Sequence, residues 1–172
     1  MEHKLNANMS HTVTQIGVVV KDIRAAMETY HRNLGWGPWN VYELKGPLHH
    51  HTEVRGEPVE YSMIIAETSA GSVDFELIQP LDGPSIYKEF LEKHGEGIHH
   101  IACMGNGKNY EENLQAYLDM GMTVQMSGSI GDNIRYYYLD SEPLFKIVIE
   151  SGSGHAGHSV TPSWVYPPQD KA

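Results

Sequence analysis

The two halves of the chain repeat one structural plan. Each half contains a β-rich segment, a long amphipathic helix that ends at a glycine, and three further β-rich segments. The helix ends correspond as Leu34-Gly35-Trp36 and Met120-Gly121-Met122. Such a duplication predicts an α+β fold of two tandem βαβββ modules, whose strands form one curved mixed sheet around a cleft.

The repeat also predicts how the chain is divided. The first βαβββ module covers residues 13–84 and the second covers 97–150, with a linking helix over 85–96 between them. A polar N-terminal arm over 1–12 precedes the modules, and a C-terminal extension over 151–172 follows them.

Local signals place the first elements. Asp22 can cap a helix that ends at Gly35, because Asp accepts hydrogen bonds from the first turn and Gly adopts the left-handed backbone that closes a helix. Residues 45–58 contain Gly, Pro and charge without periodicity, which predicts a long functional loop. The run His49-His50-His51 is expected to be solvated within it.

A hairpin follows this loop. Residues 59–66 and 72–78 are both rich in β-formers, and the small residues 68–71 between them predict the turn. Glu60 lies at the start of the first predicted strand.

Two adjacent histidines open an apolar strand in the second module. Side chains alternate along a strand, so His99 and His100 are expected to point to opposite faces of the sheet. We predict that His100 faces the cleft, whereas His99 packs or hydrogen-bonds beneath a helix.

Alignment of the two halves pairs four polar residues that lie in apolar strands. Gln15 corresponds to His100, and Glu76 corresponds to Glu150. Taken singly, each has a plainer interpretation as an edge residue, a solvated carboxylate or a hydrogen-bonded core histidine. Buried carboxylates are costly unless they are paired or bind a metal, and the symmetric placement favours a mixed N/O site for a divalent ion such as Zn, Ni, Co, Mn or Fe.

Composition limits the classes of partner. The net charge of −10 argues against binding to nucleic acid or to an anionic membrane surface. No apolar run approaches the ~20 residues that a membrane span needs. The single cysteine, Cys103, excludes an internal disulfide and suits a reducing compartment, so we expect a cytoplasmic protein.

Three stretches carry a family resemblance: QIGVVVKD at 15–22, FELIQPL at 75–81 and FLEKHGEGIHHIA at 90–102. Over roughly residues 13–150 the chain resembles the vicinal oxygen chelate superfamily, which includes glyoxalase I, methylmalonyl-CoA epimerase and the extradiol dioxygenases. It is most similar to methylmalonyl-CoA epimerase-like proteins.

The resemblance implies a divalent metal held by Gln15, Glu76, His100 and Glu150. Epimerases usually have His at the position of Gln15, and the set found here is like that of one glyoxalase I class. Glu60 corresponds to the family's epimerase base, or else is a solvated strand end.

The resemblance leads to a functional hypothesis. We expect a metal-dependent isomerase or epimerase that works through an enolate of a small carboxylate or acyl-thioester substrate. Glu150 would act as base, and Glu60 or Glu76 would return the proton. The alternatives are a glyoxalase I-like lyase on a thiol hemithioacetal and a non-catalytic small-molecule-binding protein of the same fold. Related folds often dimerise, so a homodimer is expected.

Overall fold

One sheet of eleven strands dominates the computed structural model, which describes residues 12–104, 110–155 and 159–168. Only Thr12 of the predicted N-terminal arm lies within these ranges. The strands are β1 Gln15–Val19, β2 Trp39–Leu44, β3 His49–Val54, β4 Glu57–Pro58, β5 Met63–Ala70, β6 Val73–Pro80, β7 Gly97–Ala102, β8 Val124–Ile130, β9 Ile134–Leu139, β10 Val148–Gly152 and β11 Trp164–Tyr166. The helices are α1 Ile23–Leu34, α2 Ile86–His94, α3 Tyr110–Asp119 and α4 Glu142–Phe145.

The order of strands across the sheet is β11-β2-β5-β6-β1-β7-β10-β9-β8-β3-β4. Strand β1 pairs in parallel with β6, and β7 pairs in parallel with β10. The blocks β2-β5-β6-β1 and β7-β10-β9-β8 are thus equivalent, and they join edge to edge where β1 pairs antiparallel with β7. This arrangement confirms the predicted α+β fold of two βαβββ modules in one curved mixed sheet.

Helix α1 begins and ends where the sequence predicts. The Asp22 carboxylate accepts two backbone N–H groups of the first turn, both at 3.0 Å. Gly35 closes the helix at φ 70°, a backbone conformation that costs glycine little. The helix buries Ile23 and Met27 against the first module.

The prediction of a long loop over residues 45–58 is wrong, because this segment contains β3 and β4. Strand β3 leaves the first module and pairs antiparallel with β8 of the second. His49 is only 4% exposed, with its Nδ1 3.1 Å from the backbone oxygen of Tyr61 and its Nε2 2.6 Å from the hydroxyl of Tyr136. Of the three histidines, only His51 is exposed. Buried polar contacts hold this strand, so it lacks the apolar alternation of an ordinary strand.

The predicted hairpin exists, but its turn lies later in the chain. Strands β5 and β6 pair without interruption up to a turn that begins at Gly71, at φ 77°, rather than over 68–71. The later turn places Glu67 inside β5, while Glu60 precedes that strand and is exposed.

The helices cover both faces of the sheet. Helices α1 and α3 pack on the face opposite to the one that α2 contacts through Ile86 and Tyr87. The C-terminal extension contributes β11, which pairs with β2, and its Trp164 ring lies 4.0 Å from the Arg24 guanidinium. No helix within the described ranges is long and apolar enough to cross a membrane.

Candidate metal centre

A β-bulge in β7 determines where the adjacent histidines point. Gly17 of β1 is paired with His100, whereas the next residue, Val18, is paired with Ile98, so His99 is the extra residue of the bulge. The two imidazoles therefore lie together, with their Nδ1 atoms 3.1 Å apart. The expectation that His99 and His100 face opposite sides is wrong, because a bulge interrupts the alternation on which it rested.

His99 occupies the predicted place beneath a helix. Its ring centroid lies 5.2 Å from those of Tyr87 and Phe90, both on α2. Burial, and secondarily the charge of His100, lowers the pKa of His99 well below its usual value, so His99 is neutral at pH 7.

The His100 ring lies directly over Gly17 of the neighbouring strand. A Cβ atom at position 17 would stand 1.9 Å from Cε1 and 2.3 Å from Nε2 of that ring. Glycine is therefore required here for close approach, and the absence of a side chain on β1 makes the space that the imidazole fills.

The four residues predicted as metal ligands are buried in the same region. Gln15, Glu76 and Glu150 line one cavity. The ring of His100 lies next to this cavity, close to the carboxylates of Glu76 and Glu150. The Nε2 atom of His100 is 3.0 Å from Oε2 of Glu150 and 3.8 Å from Oε2 of Glu76. Each of the four side chains comes from a different strand, namely β6, β1, β7 or β10. These four are consecutive in the sheet, and the modules join between β1 and β7.

Two of these donor atoms have no hydrogen-bond partner. Nε2 of His100 and Oε2 of Glu150 are both buried and unsatisfied despite their short separation. Buried polar atoms without partners are rare and call for a cause. Neighbouring donor atoms that each bind one shared ion at about 2.1 Å lie about 3 Å apart, so this pair has the spacing of two ligands of one divalent cation.

The carboxylate of Glu76 lies farther from His100 than that of Glu150 does. Within the described part of the chain, no group of three or more His, Cys, Asp and Glu side chains stands ready to hold a metal ion. The distance from His100 Nε2 to Glu76 Oε2 is 3.8 Å. This distance has to shorten for His100, Glu150 and Glu76 to bind one ion.

Glu67 is a site residue that the sequence reasoning missed. It lies on β5 directly opposite Glu76 in the register, and its carboxylate accepts a hydrogen bond from the Gln15 amide at 3.3 Å. The alternation of Met63, Ile65 and Glu67 along β5 was the available signal, but the predicted strand ended before position 67.

The site concentrates negative charge. Glu67, Glu76 and Glu150 all line the cavity, and no Lys or Arg is found among its described lining residues. Burial, and then the charges of Glu150 and Glu67, raises the pKa of Glu76 well above its usual value. A proton or a bound cation is therefore needed to offset this charge, since unpaired buried carboxylates are costly.

The cavity walls are apolar and aromatic and enclose a narrow space. The cavity volume is about 20 Å³. The Tyr87 hydroxyl donates to that of Tyr138 at 2.7 Å, and burial raises the pKa of both tyrosines, so the hydroxyls remain protonated at pH 7. Such walls suit a small substrate with an apolar part.

Glu60 is not brought to this cavity. It is exposed, and it borders a separate surface cavity with His50, His51 and Asp82. The structure therefore groups Gln15, Glu76, His100 and Glu150 and leaves Glu60 apart.

The sequence matches a known family. The profile of the Glyoxalase/Bleomycin resistance protein/Dioxygenase superfamily matches residues 14–138, and the chain belongs to this superfamily. The uncharacterized protein YqjC of Bacillus subtilis (strain 168) is 38% identical over 104 residues. These residues are 60% of this chain and 63% of that protein, so the match spans less than two thirds of the relative's length.

Solved structures share the fold. Hypothetical protein BH1468 from Bacillus halodurans C-125 has a TM-score of 0.61 at 22% identity, over 84% of this chain and 94% of that chain. Methylmalonyl-CoA epimerase from Mycobacterium tuberculosis has a TM-score of 0.57 at 21% identity, over 87% of this chain and 92% of that chain. At these identities the likeness concerns the fold alone.

Proposed function

We propose that this protein is a metal-dependent isomerase or epimerase that forms an enolate of a small carboxylate or acyl-thioester substrate. The observation that carries the proposal is the pair of buried donor atoms, His100 Nε2 and Glu150 Oε2, which face each other at 3.0 Å without a hydrogen bond. Superfamily membership and the epimerase among the structural neighbours support the same class of reaction.

The proposed ligands are Gln15, Glu76, His100 and Glu150. Three of them supply oxygen and one supplies imidazole nitrogen, a donor set that suits Zn, Ni, Co, Mn or Fe. The ion would act as a Lewis acid that stabilises negative charge on a substrate oxygen. The carboxylate of Glu67 orients the Gln15 amide by accepting its N–H, which leaves the amide oxygen as the donor for the cation.

Two carboxylates on different strands are proposed for proton transfer. Glu150 of β10 is the proposed base: it would leave the metal when the substrate binds, and its Oε2 lone pair would then accept the proton of the carbon next to the substrate carbonyl. We propose Glu67 of β5, rather than the exposed Glu60, as the group that returns a proton, since Glu67 lines the cavity and Glu60 does not. Glu76 of β6, which lines the same cavity, is the alternative.

The test combines metal content with proton exchange. Elemental analysis of the purified protein is expected to find one divalent metal per chain, and NMR in D₂O is expected to show exchange at C2 of methylmalonyl-CoA. His100→Ala should lose the metal and the exchange, and Glu150→Gln should lose the exchange by about 10²-fold or more. Glu60→Gln is the matched carboxylate control and should retain both. Survival of metal content and turnover in His100→Ala would overturn the site assignment.

A second candidate function is a glyoxalase I-like lyase acting on a hemithioacetal. Gln15, at a position where epimerases usually have His, favours it, and the amide is held in the cleft by Glu67. The same NMR experiment, run on the hemithioacetal of methylglyoxal and glutathione, separates the two reactions. A protein without stoichiometric metal that exchanges neither substrate would instead be a binding protein.

We further propose a homodimer in the cytoplasm. The half-buried Cys103 is a free thiol, which suits a reducing compartment. Light scattering of the purified protein tests the dimer, and fractionation of cells tests the location.

A further inference from the structure

We infer that His99 is a positioning residue for His100: when a cation is bound, His99 Nδ1 accepts the Nδ1–H of His100 and thereby holds the His100 Nε2 lone pair toward Glu76 and Glu150. This inference rests on the proposed metal site. It assigns a function to the bulge in β7, which brings the Nδ1 atoms of the two adjacent rings to 3.1 Å.

The contact between the rings requires one shared proton. A neutral imidazole carries a single N–H, and the Nδ1···Nδ1 distance of 3.1 Å is that of a hydrogen bond with one donor and one acceptor. When Nε2 of His100 binds a cation, the proton of that ring is on Nδ1. His99 must then present an unprotonated Nδ1, and its own proton is on Nε2.

The metal-free protein favours the opposite arrangement. Oε2 of Glu150 lies 3.0 Å from Nε2 of His100 without forming a hydrogen bond, and the negative charge of the carboxylate favours a proton on that nitrogen. The shared proton would then belong to His99 Nδ1. Binding of a cation at Nε2 of His100 would therefore displace the proton of that nitrogen, and the shared proton would pass to Nδ1 of His100. Nε2 of His99 would take up one proton from water, in exchange for the one displaced. The pair carries two N–H protons before and after, and its net charge is unchanged.

The surroundings of His99 keep its ring fixed. Tyr87, Phe90 and Tyr138 surround it with centroid distances of 5.2, 5.2 and 5.9 Å. On the far side of His100, the chain at Gly17 leaves space for the ring. His100 is thus held between a neighbouring strand and an immobilised acceptor, as expected for a ligand whose orientation is set by its second ring nitrogen.

The test measures metal affinity without a substrate. Co²⁺ is titrated into the metal-free full-length protein, followed by its absorption spectrum, for wild type and three variants. His99→Phe keeps a ring but removes the acceptor, and it should weaken Co²⁺ binding by about 10- to 100-fold. His99→Asn places an amide oxygen near the position of Nδ1 and should restore affinity to within about threefold of wild type. His94→Phe, at an exposed histidine on α2, is the matched control and should bind as wild type does.

A second measurement uses wild type alone and so does not depend on the folding of a variant. Two-bond ¹⁵N–¹H NMR of histidine-labelled protein should show His99 change from the Nδ1–H to the Nε2–H form when Zn²⁺ is added. If wild type binds Co²⁺ but His99→Phe binds it equally well, or if His99 keeps its Nδ1 proton with Zn²⁺ bound, this inference is overturned and the metal site stands. If wild type binds neither ion, the proposed function fails as well.

Discussion

Replacing Gly17 by Ala should destabilise the protein and weaken metal binding, because the new methyl group would occupy the space of the His100 ring. The Cβ atom would stand 1.9 Å from Cε1, whereas ordinary contacts begin at 3.4 Å, so the ring or its strand has to move by about 1.5 Å. Overpacking of this kind costs about 1 to 3 kcal/mol of unfolding free energy. A metal ligand tolerates displacements of only about 0.2 Å, so Co²⁺ affinity should fall by at least about tenfold.

The measurement is urea unfolding of the metal-free Gly17→Ala protein, followed by Co²⁺ titration of the folded form. Gly97→Ala is the matched control: Gly97 lies on β7, and a Cβ there meets nothing within 4 Å. If Gly17→Ala and Gly97→Ala have equal midpoints and equal Co²⁺ affinities, the His100 ring does not lie over Gly17 and the geometry of the site is wrong.

Three further outcomes follow from the same contacts. Burial lowers the pKa of His49 from 6.5 to about 4, so the folded protein favours neutral His49. The resulting stabilisation is fully present above pH 6.5 and is lost as the pH drops toward 4, which lowers the free energy of unfolding by about 3 kcal/mol. Urea unfolding at graded pH should show this slope in wild type and not in His49→Gln. Glu76→Gln removes one of three neighbouring buried carboxylates, so it should raise the melting temperature of the metal-free protein at pH 7. The same change should lower the Co²⁺ affinity. A lower melting temperature would contradict the conclusion that repulsion between these carboxylates destabilises the metal-free protein. Zn²⁺ at 100 times its Kd should stabilise wild type by about 2.7 kcal/mol, a gain that calorimetry should find absent in His100→Ala.

The elements that the sequence predicts well are those with local signals. Asp22 and Gly35 determine the ends of α1 through backbone hydrogen bonding that depends on neighbouring residues only. The grouping of Gln15 with His100 was also predictable, since a duplicated module places equivalent strands at equivalent places in the sheet. Neither prediction needed knowledge of contacts between distant segments.

What the sequence could not predict depends on pairing between distant strands. Strand β3 is stabilised by pairing with β8 and by the hydrogen bond between His49 and the hydroxyl of Tyr136, which is 87 residues away. The sequence of β3 alone therefore predicts a loop. The bulge at His99 likewise arises from the register of β7 against β1. The extra residue in β7 turns the rings of His99 and His100 to the same side of the sheet. The alternation of side chains along one strand cannot indicate this.

Strand β3 also connects the first module to the wall of the cleft in the second. Tyr136, which lines the cavity, is hydrogen-bonded both to His49 of β3 and to the hydroxyl of Tyr61, at 2.6 and 2.7 Å. A Cβ atom at Gly128 would stand 2.6 Å from the Tyr136 oxygen, so glycine is needed for this contact as well. The wall is therefore fixed by hydrogen bonds from both modules. We expect the protein to favour small reacting groups, with any bulky acyl carrier held outside the cleft.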